Sequence, residues 1–173
     1  MGGDCLNYGC VPSKAIIAAG KAAQTFRTAS RFGIGNAEPV VDWKAVRTHI
    51  AGVIETIAPI DSQERFEGLG VTVVRESARF EDRRTLVSET ARVRAKRIVI
   101  ATGARAFVPP IPGLAEAPYL TNETIFSAPQ FPKRLIILGA GAIGIELGQA
   151  FRRLGAEVTI LEAAKALGPF DAD

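Results

Sequence analysis

One stretch, Gly139-Ala140-Gly141-Ala142-Ile143-Gly144, constrains the fold of this chain more than any other. The G-x-G-x-x-G spacing alone is a weak signal, and its surroundings sharpen it. Leu135 to Leu138 reads as an apolar strand, Ile143 to Leu154 as a helix closed by Gly155, and Val158 to Leu161 as a second strand. Strand, glycine turn, helix and strand form a βαβ unit, so the expected class is α/β. Glycines at this turn let backbone approach a pyrophosphate, which sits at the helix N-terminus. Gly139, Gly141, Ile143 and Gly144 are the candidate cradle for a dinucleotide. Glu162, at the end of the second strand, is placed to accept hydrogen bonds from the adenine-side ribose. A carboxylate there repels a 2′-phosphate, so NAD is expected over NADP. The alternative is a glycine turn that binds nothing.

The two cysteines, Cys5 and Cys10, lie close together in Gly3-Asp4-Cys5-Leu6-Asn7-Tyr8-Gly9-Cys10-Val11-Pro12-Ser13-Lys14. A close pair in a chain without secretory features is more often catalytic or metal-binding than a structural staple. With His49 as the single histidine, the set falls one ligand short of a closed zinc site of thiols and imidazole. Redox chemistry leads. The C-x4-C spacing allows a disulfide across a tight turn, although a structural bridge or two unrelated thiols would fit it too. Pro12 to Phe32 reads as a helix with an apolar side at Ile16, Ile17, Ala23 and Phe26. Cys10 then sits near a helix N-terminus, where the dipole favours thiolate over thiol, and Lys14 adds a positive charge one turn on.

Elsewhere, Asp42 is a capping residue for a helix carrying Trp43, Val46, Ile50, Val53 and Ile57. Pro59 interrupts that helix, and Asp61 or Ser62 can restart a short one through Leu69. Past Gly70 the period changes: 71–74, 77–80 and 85–89 read as short strands, and Ile98-Val99-Ile100 as a buried strand ending at Ala101-Thr102-Gly103. Val108-Pro109-Pro110-Ile111-Pro112-Gly113 suits neither helix nor central strand and reads as a domain crossing.

Composition excludes several classes. Hydrophobic residues make up 47% and charged residues 23%, which is ordinary for a globular protein and argues against disorder. No apolar run reaches the length of a membrane span. Met1 to Cys10 has neither the basic start nor the apolar stretch of a signal peptide, so a cytoplasmic location is expected. The formal charge of +3 leaves the two signs nearly balanced, and no aromatic-rich motif accompanies the basic clusters. Nucleic acid is not an expected partner.

Taken together, the cysteine segment, Ala101-Thr102-Gly103, Ile111-Pro112-Gly113 and the glycine motif with Glu146 resemble the class I pyridine nucleotide–disulfide oxidoreductases. Dihydrolipoamide dehydrogenase, glutathione reductase and mercuric reductase belong to that family. The family's redox motif reads Gly-Gly-Thr-Cys, four residues, Cys, then Ile or Val, Pro, Ser or Thr, and Lys; here Asp4 stands in the threonine position. The resemblance implies a partial FAD-binding domain with a β-meander over residues 1–112 and the first part of a Rossmann-like NAD(P)-binding domain over 113–173. It implies FAD contacts from Gly3, Asp4, Lys14, Ala101, Thr102 and Gly103. It also implies catalytic roles for Cys5, the outer interchange thiol, and Cys10, the thiol nearer the flavin, with Lys14 and Glu146 as an ion pair beside the reacting ring. Electrons would run from NAD(P)H through FAD to the Cys5–Cys10 disulfide and on to a small disulfide, thiol or metal-ion substrate. His49 does not correspond to the family's C-terminal catalytic histidine.

Members of the family are much longer. The resemblance therefore places the flavin's own glycine motif before Met1, and the remaining nicotinamide, flavin and dimerisation segments after Asp173. A full-length homodimer is implied. The 173-residue chain alone is expected neither to retain FAD tightly nor to reduce disulfides with NADH. The opposing reading is a non-catalytic remnant that at most binds a nucleotide.

Overall fold

The computed structural model describes residues 1–163. The last stretch of the expected nicotinamide unit, 164–173, lies outside the described residues. Helix α1 spans Gly3–Asn7, α2 Cys10–Arg27, α3 Trp43–Ile57 and α4 Gln63–Gly68. Strands β1 (Arg79–Phe80), β2 (Thr85–Val87) and β3 (Arg92–Arg94) form an antiparallel meander in that order. Beyond them, β4 (Arg134–Leu138), α5 (Ala142–Leu154) and β5 (Glu157–Leu161) form the expected βαβ unit.

Local chemistry explains the boundaries. The Asp42 carboxylate accepts from the Lys44 and Ala45 amides at 2.9 and 3.2 Å, which caps α3. Ser62 caps α4 by accepting from the Arg65 amide, after a 3-10 turn at Ala58–Asp61 that contains Pro59. Gly155 takes φ +110° and closes α5, a conformation that side chains with a Cβ rarely adopt. In the sheet, β4 and β5 pair in parallel with Leu135 opposite Val158 and Leu138 opposite Leu161. The mixed α/β expectation holds.

Three expectations do not. The first helix begins at Cys10 rather than Pro12 and ends at Arg27, followed by a separate 3-10 turn over Ala29–Phe32. Residues 71–74 form no strand, and the meander strands are shorter than their apolar pattern suggests. Ile98-Val99-Ile100 is not a buried strand: Val99 is 87% and Ile100 72% exposed. An apolar run becomes a strand only when another strand supplies its hydrogen bonds, and none of the described strands runs beside this one.

The core lies where α2, α3 and α5 meet. Ile16 and Phe151 are fully enclosed, and Trp43, Ile50, Leu147 and Leu154 pack around them. Complete burial of a side chain such as Phe151 contributes roughly 1.5–3 kcal/mol. The rings of Trp43, Phe131 and Phe151 form a cluster with centroids 5.5–6.0 Å apart. The Trp43 indole N–H donates to the Ala128 carbonyl at 2.8 Å, so burying its polar atom leaves nothing unsatisfied. Gly20 allows the closest approach: a Cβ there would lie 3.0 Å from the Ala150 carbonyl oxygen on α5. One core thus draws on residues from both sides of the proline-rich crossing. No helix among the described residues is long and apolar enough to cross a membrane.

Candidate functional site

The redox turn is built by glycines at its two ends. Gly2 has φ +86°, and a Cβ there would overlap the Leu6 side chain at 2.4 Å. Leu6 is 4% exposed and anchors α1 to the body of the protein. At the other end the Tyr8 amide donates to the Asp4 carbonyl at 2.8 Å, and Gly9 brings the chain so close that a Cβ would lie 3.0 Å from that same oxygen. The chain then enters α2, with Gly9 as N-cap and Cys10 as first residue.

Both cysteines are exposed free thiols. They are hydrogen-bonded to each other, and that bond, with desolvation and the negative charge of Cys10, raises the Cys5 thiol above its ordinary value. Asp61 adds a smaller push in the same direction. Cys10 occupies the positive end of an 18-residue helix, where negative charge is favoured. The structure thus juxtaposes two exposed cysteines in unequal environments.

Lys14, one turn into α2, extends its Nζ to within 2.8 Å of Glu146 Oε2 on α5. Their side chains are 62% and 46% exposed, so the pair adds little stability and chiefly fixes the two side chains relative to each other. It joins the helix that starts at Cys10 to the helix that starts at the glycine motif.

A second connection runs from Asp4. Its Oδ2 accepts from the Ala104 amide at 3.2 Å, just past Ala101-Thr102-Gly103. Gly103 takes φ +75°, and its open side faces the Asp4 carboxylate. An open cleft of about 460 Å³ lies here, lined by Asp4, Tyr8, Thr102, Arg105, Asn122 and Glu123 among others. Gly3 borders open space, while Ala101 and Thr102 are exposed.

At the glycine motif, Gly139 has φ +103° and its amide donates to the Leu161 carbonyl at 2.8 Å. Gly144 leaves no room for a side chain, since a Cβ would lie 2.3 Å from the Gly139 carbonyl oxygen. Around Gly139 and Gly141 the space is open, and no side chain caps α5. Ile143 is 64% exposed beside this turn. Glu162 Oε2 accepts from the Ala140 amide at 2.7 Å, so the carboxylate stands at the mouth of the turn.

The structure therefore gathers the sequence candidates into two groups, the redox turn with 101–104 and the glycine turn with Glu162, linked by Lys14–Glu146. His49 is exposed on α3, apart from either group's contacts. Sequence reasoning missed Asp61, Ala104 and Arg105. Local sequence marks Asp61 only as a possible helix start, and its charge reaches Cys5 through the tertiary fold.

A profile of the pyridine nucleotide-disulphide oxidoreductase family matches residues 1–173. Mercuric reductase of Shigella flexneri is 40% identical over 169 residues, covering 93% of this chain and 30% of the relative. Mercuric reductase of Lysinibacillus sphaericus is 33% identical over 167 residues, covering 96% and 31%. Among solved structures, the Cu(II) complex of the HOCl-induced flavoprotein disulfide reductase RclA from Escherichia coli superposes with a TM-score of 0.74 at 27% identity. That match covers 97% of this chain and 35% of RclA. The chain spans about a third of the length of these relatives. With its motifs in place and the whole chain matched, it belongs to the pyridine nucleotide-disulphide oxidoreductase family.

Proposed function

We propose that this chain carries the redox-active cysteine pair and the nicotinamide entry turn of a flavin-dependent oxidoreductase of the mercuric reductase or disulfide reductase type. The observation that carries the reading is the Lys14–Glu146 pair, which ties the Cys10 helix to the dinucleotide-type helix in one arrangement. Residues 1–112 would form the flavin side and 113–173 the nicotinamide side.

The residues present fit a dinucleotide. The cramped seat of Gly144 forces a tight turn, and the space open at Gly139 and Gly141 sits at the uncapped N-terminus of α5. Gly139, Gly141, Ile143 and Gly144 would hold the pyrophosphate and Glu162 the ribose, with NAD favoured over NADP. On the flavin side the cleft lined by Asp4, Thr102 and Gly103 fits part of a larger cofactor. When bound, the nicotinamide and flavin supply the electron pair. The chain's own residues do the rest. Lys14 and Glu146 would orient the reacting ring, with Cys10, the first residue of α2, as the thiol nearer to it. Cys5 would be the outer thiol that exchanges with a disulfide, thiol or metal-ion substrate.

The division of labour between the cysteines is testable in the flavin-loaded holoprotein. Partial reduction is expected to give a long-wavelength charge-transfer absorbance. Cys10→Ser should abolish it and Cys5→Ser should enhance it. The reverse pattern overturns the assignment.

A further inference from the structure

The two cysteines are held unequally. Cys10 belongs to α2, whose Pro12 and Ile16 are fully buried in the core. Cys5 belongs to α1, a five-residue helix too short to be stable by itself. Leu6, which is buried, and the Asp4 carboxylate, which accepts from the Ala104 amide at 3.2 Å, both help to hold α1. Asp4 also receives the Tyr8 amide at its carbonyl, so one residue ties α1 both to the turn leading to Cys10 and to the 101–104 segment. Gly103 presents a bare Cα to this carboxylate, and a Cβ there would stand 3.2 and 3.3 Å from its two oxygens.

We infer that Asp4 is a positioning residue for the redox pair: its contact with Ala104 holds the α1 turn so that the Cys5 sulfur stays within bonding reach of Cys10. The inference rests on the reading of Cys5 and Cys10 as a redox couple. It assigns Asp4 a task that requires an acceptor atom at a set reach, and the negative charge itself is not required. Two thiols held together close a disulfide with a higher effective concentration than two that wander apart. Releasing the Cys5 side should therefore weaken the disulfide.

The test is a thiol–disulfide equilibrium on the whole 173-residue chain. Oxidised dithiothreitol, a cyclic disulfide, is the oxidant. Cys5 and Cys10 each lose a proton and an electron as their S–S bond forms, and the reagent's S–S bond opens to a dithiol that takes up both. Quenching by alkylation and mass measurement gives the oxidised fraction. Asp4→Ala should lower the oxidation equilibrium constant by about three- to tenfold, the worth of one hydrogen bond of this kind. Asp4→Asn keeps an acceptor at the same reach and should stay within about twofold of the native chain. Should Asp4→Ala not fold by circular dichroism, Asp4→Ser, whose hydroxyl is shorter than the carboxylate, makes the same comparison. Equal constants in the native chain and the shortened variants overturn the inference. So do parallel shifts in Asn and Ala, which would make charge the cause. If the native chain forms no Cys5–Cys10 disulfide at all, the functional reading fails first, and the two failures are distinct.

Discussion

Two apolar runs of the same kind end differently. Leu135 to Leu138 pairs along its whole length with β5 and has α5 across one face. Ile98 to Ile100, equally rich in branched residues, lies unpaired and largely exposed. Each leads into a glycine turn tied to the candidate site: Gly139 to Gly144 after the first, Gly103 after the second. A run of branched apolar residues thus specifies only a capacity for strand formation. A neighbouring strand decides whether that capacity is used.

The sharpest way to break the comparison is to remove one side chain from each region. Phe151→Ala empties the enclosed centre of the α2–α3–α5 core and should cost about 3–5 kcal/mol in a urea melt. Val99→Ala, in the exposed run, should change stability by no more than about 0.5 kcal/mol. A large loss at Val99 would mean that the run is packed after all.

The two glycine turns give a second, smaller contrast. At Gly144 a methyl group would meet a backbone oxygen, which cannot swing away, at 2.3 Å. Gly144→Ala should cost about 1–3 kcal/mol and weaken NADH binding at least about tenfold by fluorescence titration, with NADPH weaker than NADH in the native chain. At Gly103 the facing group is a side chain, and the penalty is the positive φ, about 1 kcal/mol. Equal NADH affinity in native and Gly144→Ala chains would remove the glycine turn from the binding site.

The smallest expected effect lies at the redox turn, which touches both regions. The Cys5 thiol is raised chiefly by its hydrogen bond to Cys10, so less thiolate is present at any given pH. In Cys10→Ser the midpoint of the pH–rate profile for Cys5 alkylation should lie above the ordinary cysteine value by less than in the native chain. A midpoint that rises on losing Cys10 would show that Cys10 does not hold the Cys5 thiol up.

Much of this was legible in the residues, for reasons that are local. Asp42, Ser62 and Gly155 announce helix ends because a cap depends only on the next few amides. The glycine motif announces its turn because no Cβ fits at Gly144. The Lys14–Glu146 contact was anticipated only through the family resemblance, since 132 positions separate the two residues. Asp61 was marked only as a possible helix start, and Ala104 carried no signal. Their importance comes from the folding back of α3 and from the approach of the 101–104 segment to α1.

The βαβ unit, the close pair of thiols, the helix caps and the near balance of charge can be read directly from the residues. These follow from spacing, backbone freedom and composition, which act over a few residues. The exposure of Ile98 to Ile100, and the single core spanning the proline-rich crossing, emerge only from long-range packing. The same packing decided that Asp4 reaches Ala104 and that the Cys10 helix meets the glycine-turn helix through Lys14 and Glu146. Those outcomes depend on which surfaces meet. Gly20 and Ala150 set that meeting through backbone contact that neither local sequence specifies alone.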